Sequence, residues 1–286
     1  MKKSTLLHLR IPFSFFLLPV FLLACAVAET IDWQNFGLAF FILHFLVYPA
    51  SNGYNSYFDK DEESIGGLKN PPPVTKELYW TALLFDLIGL IAGLFISIEF
   101  TLMVVVYGLI SKAYSHPSVR LKKSPISGWL AAGIFQGYFT YLLSYIAVKD
   151  VALIASFSWE IQLPGILSSL LLLGSYPMTQ VYQHDEDSRR GDLTLSRLLG
   201  IKGTFHFTAV VFAITTGGFL YYFNTYHQFM DGLYFTAFLS PVLIYFSIWY
   251  LSIRKNLVSA DFTSTMRLNF ISAIFLNGFF IFWWIN

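Results

Sequence analysis

Two acidic segments have the residue types and the spacing of a divalent cation site. Asn55, Asp59 and Glu63 are each four residues apart, and Gln183 stands four residues before Asp187. If each segment is helical, residues four apart lie on one face of the helix. Carboxylate and amide oxygens are ligands that Mg²⁺ accepts in proteins. The two segments therefore predict magnesium ions that neutralise a diphosphate, because a diphosphate is otherwise a poor leaving group.

A basic segment between the two acidic ones supplies groups that bind phosphate oxygens. It contains Tyr114, Arg120 and Lys122. Arginine binds such oxygens through two parallel N–H donors and lysine binds them as a point charge, while a tyrosine hydroxyl adds a single donor. Taken alone, the segment is equally typical of a basic loop that anchors a membrane helix on its inner side. Beside two acidic segments, it favours diphosphate binding.

The elements that must position these residues are membrane helices. The chain has 286 residues, of which 56% are hydrophobic and only 12% charged, with a mean hydropathy of +0.59. This composition is typical of a polytopic membrane protein, whose spans must satisfy their own backbone hydrogen bonds and are therefore helical. We predict an all-α fold with nine transmembrane helices, at about 11–28, 36–51, 79–98, 101–115, 126–148, 164–182, 205–223, 233–253 and 268–284.

The basic residues predict the orientation of these helices, because basic loops stay in the cytoplasm. All of the 18 lysines and arginines except Lys149 lie before the first span, or end or follow an even-numbered one. This distribution predicts a cytoplasmic N-terminus, an outer C-terminus and both acidic segments on the cytoplasmic side. No polybasic tract indicates a nucleic-acid partner. The single cysteine, Cys25, excludes an intrachain disulfide and a cysteine-based zinc site.

The N-terminal segment has an alternative interpretation. An apolar run that ends in Leu22-Leu23-Ala24-Cys25 resembles a bacterial signal peptide with a lipidation site. Cleavage there would remove the first span and leave eight. Arg10 followed by Pro12 and aromatic residues fits an uncleaved first helix equally well. With no long linker and no low-complexity tract, residues 1–286 are predicted to form a single transmembrane domain.

Three motifs together resemble the UbiA superfamily of intramembrane prenyltransferases over essentially the whole chain. They are Asn55-x-x-x-Asp59-x-x-x-Glu63, Tyr114-Ser-x-Pro-x-x-Arg120-Leu-Lys122 and Asp187-x-x-Arg190-Gly191-x-x-Thr194-Leu195. The resemblance implies helices around a central cavity that opens toward the lipid. It departs from the family pattern in three places, since Ser56, Glu63 and Gln183 stand where the family usually has aspartate.

The resemblance also implies roles for individual residues. It assigns metal binding to Asn55, Asp59, Glu63, Gln183 and Asp187, with Mg²⁺ as the cofactor. It assigns diphosphate binding to Arg10, Tyr114, Arg120, Lys122 and Arg190, and catalysis to Asp59, Tyr114, Lys122 and Asp187. Gln183 offers a carbonyl oxygen but no charge, so the second cluster is expected to hold its metal more weakly.

The expected function is Mg²⁺-dependent transfer of an isoprenyl group from an isoprenyl diphosphate to an aromatic or lipophilic acceptor. The protein is expected in the bacterial inner membrane, among lipids, with its active site toward the cytoplasm. One alternative is a membrane terpene cyclase on the same fold, in which a double bond of the same isoprenyl chain attacks the cation. Another is a transporter, although a transporter binds its substrate near the bilayer midplane and both acidic segments lie at helix ends.

Overall fold

The structure is a computed structural model that describes residues 1–286 and contains no β-strand. Its helices are α1 (Lys3–Phe16), α2 (Leu18–Ala28), α3 (Trp33–Asp59), α4 (Lys76–Gly93), α5 (Ile98–Ser115), α6 (Pro125–Lys149), α7 (Trp159–Gln180), α8 (His184–Arg190), α9 (Leu195–Tyr226), α10 (Phe229–Lys255) and α11 (Phe262–Ile285). Three short 3₁₀ helices lie in the connections, at Leu121–Lys123, Leu153–Ser156 and Leu257–Ser259.

Seven of these helices are long and apolar enough to cross a membrane, and α1 with α2 forms an eighth candidate that is bent by 43°. The predicted all-helical membrane fold is confirmed at this level. The predicted segment 79–98 is helical as α4, but α4 contains Lys76, Glu77 and Asp86 within 18 residues. Asp86 forms an ion pair with Lys112 of α5. The charge within α4 is therefore neutralised by a neighbouring helix.

The second span is longer than the sequence predicts, and this extension carries site residues. The predicted segment ends at residue 51, whereas α3 continues to Asp59. Its middle contains a π-helical turn at Ile42–Val47, in which the ladder of backbone hydrogen bonds shifts by one residue. Asn55 and Asp59 consequently lie on the last turns of a membrane helix.

Helices α6 and α7 pack closely because small residues face each other. A Cβ atom added at Gly137 would lie 2.5 Å from Cα of Ser169, so only glycine permits this approach. Ser169 Oγ accepts a hydrogen bond from the Tyr138 amide at 2.8 Å and donates to the Gly133 carbonyl at 3.0 Å. Such contacts between small residues are typical of membrane helices, which gain little from burying apolar surface against each other.

The N-terminal helix α1 holds the loop that follows α3. Ser4 donates to the carbonyl of Pro73 at 2.6 Å, and His8 Nε2 lies 2.6 Å from the carbonyl of Pro72. Arg10 donates to the carbonyl of Gly66 at 3.0 Å. The three-proline segment lacks backbone N–H donors, and its carbonyl groups are bound by polar side chains of α1.

The core of the bundle is rich in aromatic side chains. Phe21, Phe100, Phe205, Phe223 and Phe279 are almost completely buried and belong to one hydrophobic cluster. The outer helix faces expose large aliphatic side chains instead, among them Leu84, Ile91, Val210, Ile214 and Ile248. An apolar exterior of this kind fits a lipid environment.

Candidate active site

A central cavity of about 360 Å³ contains most of the predicted site residues. Its charged end is lined by Arg10, Asn55, Asp59, Asp61, Tyr114, Lys122, Gln183, Asp187, Arg190 and Asp192. The rest of the cavity is mainly apolar and aromatic, with side chains that include Phe13, Phe16, Tyr48, Tyr107, Phe135, Phe212 and Phe280. The cavity thus combines a polar end with an apolar chamber, which suits an elongated ligand with one charged end.

Helix α3 delivers two ligand candidates to the charged end. Asn55 donates through Nδ2 to Ser115 Oγ at 2.8 Å, which leaves its carbonyl oxygen free of that contact. Asp59 is the last residue of the helix, and its side chain is only 4% exposed. Lys60 follows with a left-handed backbone, φ 51° and ψ 46°, and its amide donates to the carbonyl of Ser56. The helix therefore stops one turn earlier than the Asn55, Asp59, Glu63 row requires.

The structure does not bring Glu63 into the cavity. Because α3 ends at Asp59, the expected helical face shared by Asn55, Asp59 and Glu63 is wrong at its third member. The Glu63 side chain is 46% exposed and forms an ion pair with Arg189, which is 62% exposed. Asp61 lines the cavity instead, with a side chain that is 6% exposed and pairs with Arg190.

The basic segment lies directly across from α3. Lys122 forms an ion pair with Asp59, and Arg120 Nη1 lies 3.7 Å from Oδ1 of the same carboxylate. Arg120 also donates from Nε and Nη2 to the two oxygens of Asp192, at 3.0 and 2.9 Å. The hydrogen bonds to Asp192 raise the pKa of Arg120 above its usual value, so this guanidinium stays charged.

Tyr114 faces the cavity from the last turn of α5. Its hydroxyl lies within hydrogen-bonding distance of the hydroxyl of Tyr176, which lines the same cavity from α7. Either hydroxyl can act as the donor. The pair can therefore offer the Tyr114 O–H to a bound anion while the Tyr176 hydroxyl donates to the Tyr114 oxygen.

The second acidic segment is a separate short helix rather than the end of the sixth span. Helix α7 ends at Gln180, and Gln183 is the N-terminal cap of α8. The Asp187 amide donates to the Gln183 carbonyl at 2.9 Å, so the expected spacing of four holds across the first turn of α8. The Gln183 side chain donates through Nε2 to the Ser64 carbonyl at 3.2 Å, which ties α8 to the loop after α3.

Asp187 sits among other charges near the base of α8. Burial, and next to it the neighbouring Asp192 carboxylate, raises the pKa of Asp187 to about 7. Thr194 Oγ1 lies 3.4 Å from one of its oxygens. A carboxyl group of this kind loses its proton most readily when a cation binds next to it.

Arg10 and Arg190 complete the charged end. Arg10 lines the cavity, but its guanidinium donates to backbone carbonyls, those of Gly66 at 3.0 Å and Asn52 at 3.5 Å. Arg190 binds both Asp61 and Glu186. Of the residues expected to contact a diphosphate, Arg10, Tyr114, Lys122 and Arg190 line one end of the cavity, and each has a protein partner there. Arg120 does not line the cavity but contacts Asp59 and Asp192, which do.

The oxygen ligands at this end fit a hard divalent cation. Asn55, Asp59, Asp61 and Asp187 supply amide and carboxylate oxygens, which Mg²⁺ prefers. Asp59 Oδ1 is buried without a hydrogen-bond partner. No three acidic side chains lie close enough together to form a metal cluster. Asp59 and Asp61 instead contact Lys122 and Arg190. The ligand atoms at this end are therefore of the type that binds magnesium.

The sequence motifs did not indicate Asp61 and Asp192, which line the charged end, or Glu186, which pairs with Arg190 beside it. Asp61 lies outside the spacing of four, and it faces the cavity only because Lys60 turns the chain. Glu186 accepts from the Glu62 amide at 3.0 Å and binds Arg190, although no spacing marks it. Asp192 directly follows the Arg190-Gly191 pair of the third motif. This position was the one feature of the sequence that could have indicated Asp192 as a site residue.

Comparisons with known proteins agree with the geometry. The family model described as the UbiA prenyltransferase family matches residues 15–277. No curated protein sequence matches the chain.

Solved structures of UbiA homologues share the fold. A homologue from Archaeoglobus fulgidus bound to GPP and Mg²⁺ has a TM-score of 0.66 at 19% identity and covers 99% of this chain and 100% of its own. An apo homologue from Aeropyrum pernix K1 has a TM-score of 0.70 at 17% identity, covering 96% and 98%. A structure from work on digeranylgeranylglyceryl phosphate synthase has a TM-score of 0.62 at 18% identity, covering 98% and 97%.

Proposed function

This chain belongs to the UbiA prenyltransferase family, and we propose that it transfers an isoprenyl group from an isoprenyl diphosphate to a lipophilic or aromatic acceptor within the membrane. The observation that carries the proposal is the cavity, whose charged end meets an apolar chamber. A diphosphate fits the first and an isoprenyl chain fits the second. UbiA homologues from Archaeoglobus fulgidus bind GPP or DMAPP together with Mg²⁺, which supports the same ligands here.

The charge balance supports a divalent cation as cofactor. Four carboxylates line the charged end, Asp59, Asp61, Asp187 and Asp192, together with only three cations, Arg10, Lys122 and Arg190. The protein alone therefore offers no excess positive charge to a diphosphate. In this proposal Asn55, Asp59 and Asp187 hold Mg²⁺, which when bound neutralises negative charge on the leaving diphosphate.

The basic side chains bind and orient the diphosphate. Lys122 and Arg120 both lie against Asp59, so they reach the same point of the cavity as the proposed metal ligands. Lys122 acts as a point charge and Arg120 presents Nη1, the nitrogen that Asp192 does not use. Tyr114, with Tyr176 behind it, donates an O–H to a diphosphate oxygen, and Arg190 adds a further donor.

The reaction in this proposal is an electrophilic alkyl transfer. The bond between the first isoprenyl carbon and the diphosphate oxygen breaks, and its electron pair leaves with the diphosphate. The faces of Tyr48, Tyr107 and Phe135 in the chamber stabilise the allylic cation, by about 0.5 to 2 kcal/mol for each well-placed ring. A nucleophilic atom of the acceptor then bonds to that carbon and loses its proton. The apolar walls keep out water, which would otherwise capture the cation as an alcohol.

We also propose the finer membrane topology. The bent α1–α2 pair and α4 join the seven clearly apolar helices as spans, which gives nine with a cytoplasmic N-terminus. The basic residues support this arrangement, because Lys122, Arg190 and most other cations then lie on one side. The charged end of the cavity faces the cytoplasm of a bacterial inner membrane in this arrangement, and residues 1–286 act as one domain.

The test uses the purified protein in lipid nanodiscs with Mg²⁺ and geranyl, farnesyl or geranylgeranyl diphosphate. Diphosphate release is measured with and without candidate acceptors. Asp59→Ala and Asp187→Ala are expected to abolish release. Asp185→Ala is the matched control, since Asp185 lies only two residues from Asp187, and it should keep release because its side chain is exposed. Full turnover by Asp59→Ala would refute the site. A cyclic hydrocarbon formed without acceptor would instead identify a terpene cyclase.

A further inference from the structure

The chain after α3 presents a different carboxylate to the cavity from the one that helical spacing selects. Lys60 adopts a left-handed conformation with φ 51°, which reverses the chain directly after Asp59. As a result Asp61 is 6% exposed and lines the cavity, whereas Glu63 is 46% exposed. The two carboxylates are only two residues apart, yet only one of them can reach a ligand in the cavity.

The contacts of the Glu63 side chain are those of an ordinary surface residue. It pairs with Arg189, which is 62% exposed, and it does not line the cavity. Exposed pairs of this kind contribute about 0 to 1 kcal/mol to stability. Nothing about Glu63 therefore requires a bound ligand.

Asp61 belongs to a cluster of buried carboxylates that has too few partners. Arg190 is the ion-pair partner of both Asp61 and Glu186, and the only other donor to Glu186 is the Glu62 amide. Oδ1 of Asp59 and Oε2 of Glu186 are buried without any hydrogen-bond partner. Buried carboxylate oxygens without a partner are costly, and a cation bound next to them removes that cost. The unpartnered oxygen of Asp59 lies in the same cavity that Asp61 lines.

We propose that Asp61, and not Glu63, is the carboxylate that joins Asn55 and Asp59 in binding the divalent cation. The proposal rests on the proposed function, because it concerns the same metal and the same cavity. A cation held by Asp59 and Asp61 neutralises two carboxylates at once. Arg190 then loses one of its two carboxylate partners and becomes available to a diphosphate oxygen.

The experiment compares two isosteric substitutions in one loop, Asp61→Asn and the matched control Glu63→Gln. Binding of Mn²⁺ is measured in nanodiscs by electron paramagnetic resonance, without any isoprenyl diphosphate. We expect Asp61→Asn to weaken Mn²⁺ binding at least about tenfold, because the affinity of such a site depends strongly on the number of its charged ligands. Glu63→Gln should change the affinity less than about twofold. Asp61→Glu should recover part of the affinity. The Mg²⁺ dependence of diphosphate release should follow the same order.

Three outcomes separate the possibilities. Weaker Mn²⁺ binding in Glu63→Gln with unchanged binding in Asp61→Asn would overturn the proposal. A lower melting temperature of Asp61→Asn with unchanged Mn²⁺ binding would also overturn it, because Asp61 would then only pair with Arg190. If the unsubstituted protein bound no Mn²⁺, or if Asp59→Ala bound it normally, the proposed function itself would fail, and the comparison of Asp61 with Glu63 would fail with it.

Discussion

The buried pair between Arg120 and Asp192 leads to a prediction about diphosphate affinity. Asp192 holds Arg120 through Nε and Nη2 and leaves Nη1 beside Asp59, 3.7 Å from Oδ1 of that cavity-lining carboxylate. Asp192→Ala removes this support but no group that we expect to contact the diphosphate. It also removes a carboxylate that raises the pKa of Asp187, so the comparison is made at pH 8, where Asp187 is mostly ionised in either protein. Arg120 must then be ordered when the diphosphate binds, and part of the binding free energy is spent on that ordering.

The size of the effect follows from the freedom that Arg120 gains. An arginine side chain has about 2 kcal/mol of rotamer entropy to lose. Asp59 still restrains Arg120 from one side, so we expect a loss of about 1.4 kcal/mol, which is tenfold in affinity. The Arg120 side chain is 19% exposed, so the penalty of about 3 to 5 kcal/mol for a completely buried, unpaired charge does not apply.

The assay measures KM for the isoprenyl diphosphate and inhibition by inorganic pyrophosphate. Asp192→Ala should raise both constants about tenfold with little change in kcat, and Asp192→Asn should lie between it and the unsubstituted protein, because one acceptor oxygen remains. Glu63→Ala, which removes the exposed pair with Arg189, is the control and should change KM less than about twofold.

A double-mutant cycle tests the reasoning directly. If Asp192 acts through Arg120, the double variant Arg120→Ala with Asp192→Ala should match Arg120→Ala alone within about twofold, since residues in contact are not additive. An unchanged KM in Asp192→Ala would refute the positioning role. Fully additive effects of the two substitutions would refute it as well, because they would show that Asp192 acts on the site independently of Arg120.

Two further predictions concern metal binding and helix packing. Because burial and the neighbouring Asp192 carboxylate raise the pKa of Asp187 to about 7, the ionised fraction of Asp187 falls from about nine-tenths at pH 8 to about one-tenth at pH 6. Mn²⁺ affinity measured by calorimetry should therefore fall about tenfold over this range, and Asp187→Asn should remove that dependence. Gly137→Ala should destabilise the protein in thermal unfolding by about 1 to 3 kcal/mol, because the new Cβ would lie 2.5 Å from Cα of Ser169, whereas Gly108→Ala, with no atom within 4 Å, should be neutral or stabilising.

The membrane fold was largely predictable because its causes are local. Long apolar segments must be helical in lipid, and the segments predicted at 126–148 and 233–253 fall within α6 and α10. The predicted span at 79–98 shows the limit of hydropathy, since α4 carries three charged residues and depends on Lys112 of α5 to neutralise Asp86. Hydropathy measures a segment alone and does not see the partner that compensates its charge.

The site was predictable in its residue types and only in part in its geometry. Motif spacing selected Asp59, Lys122 and Asp187, and the structure brings all three to one cavity. Spacing also selected Glu63, which lies outside that cavity, because spacing assumes that the helix continues. One left-handed residue, Lys60, breaks that assumption, and no residue near it marks the end of the helix in the sequence.

Apolar runs and charge placement are properties of single segments, so the sequence was enough to predict an all-helical membrane protein with acidic and basic segments at helix ends. The contacts between those charged segments became visible only in the folded bundle. Arg120 and Asp192 are 72 residues apart and Arg190 and Asp61 are 129 residues apart, yet each pair is in direct contact. Such contacts depend on how the helices pack and where each helix ends, and these are set by the whole bundle rather than by any one segment.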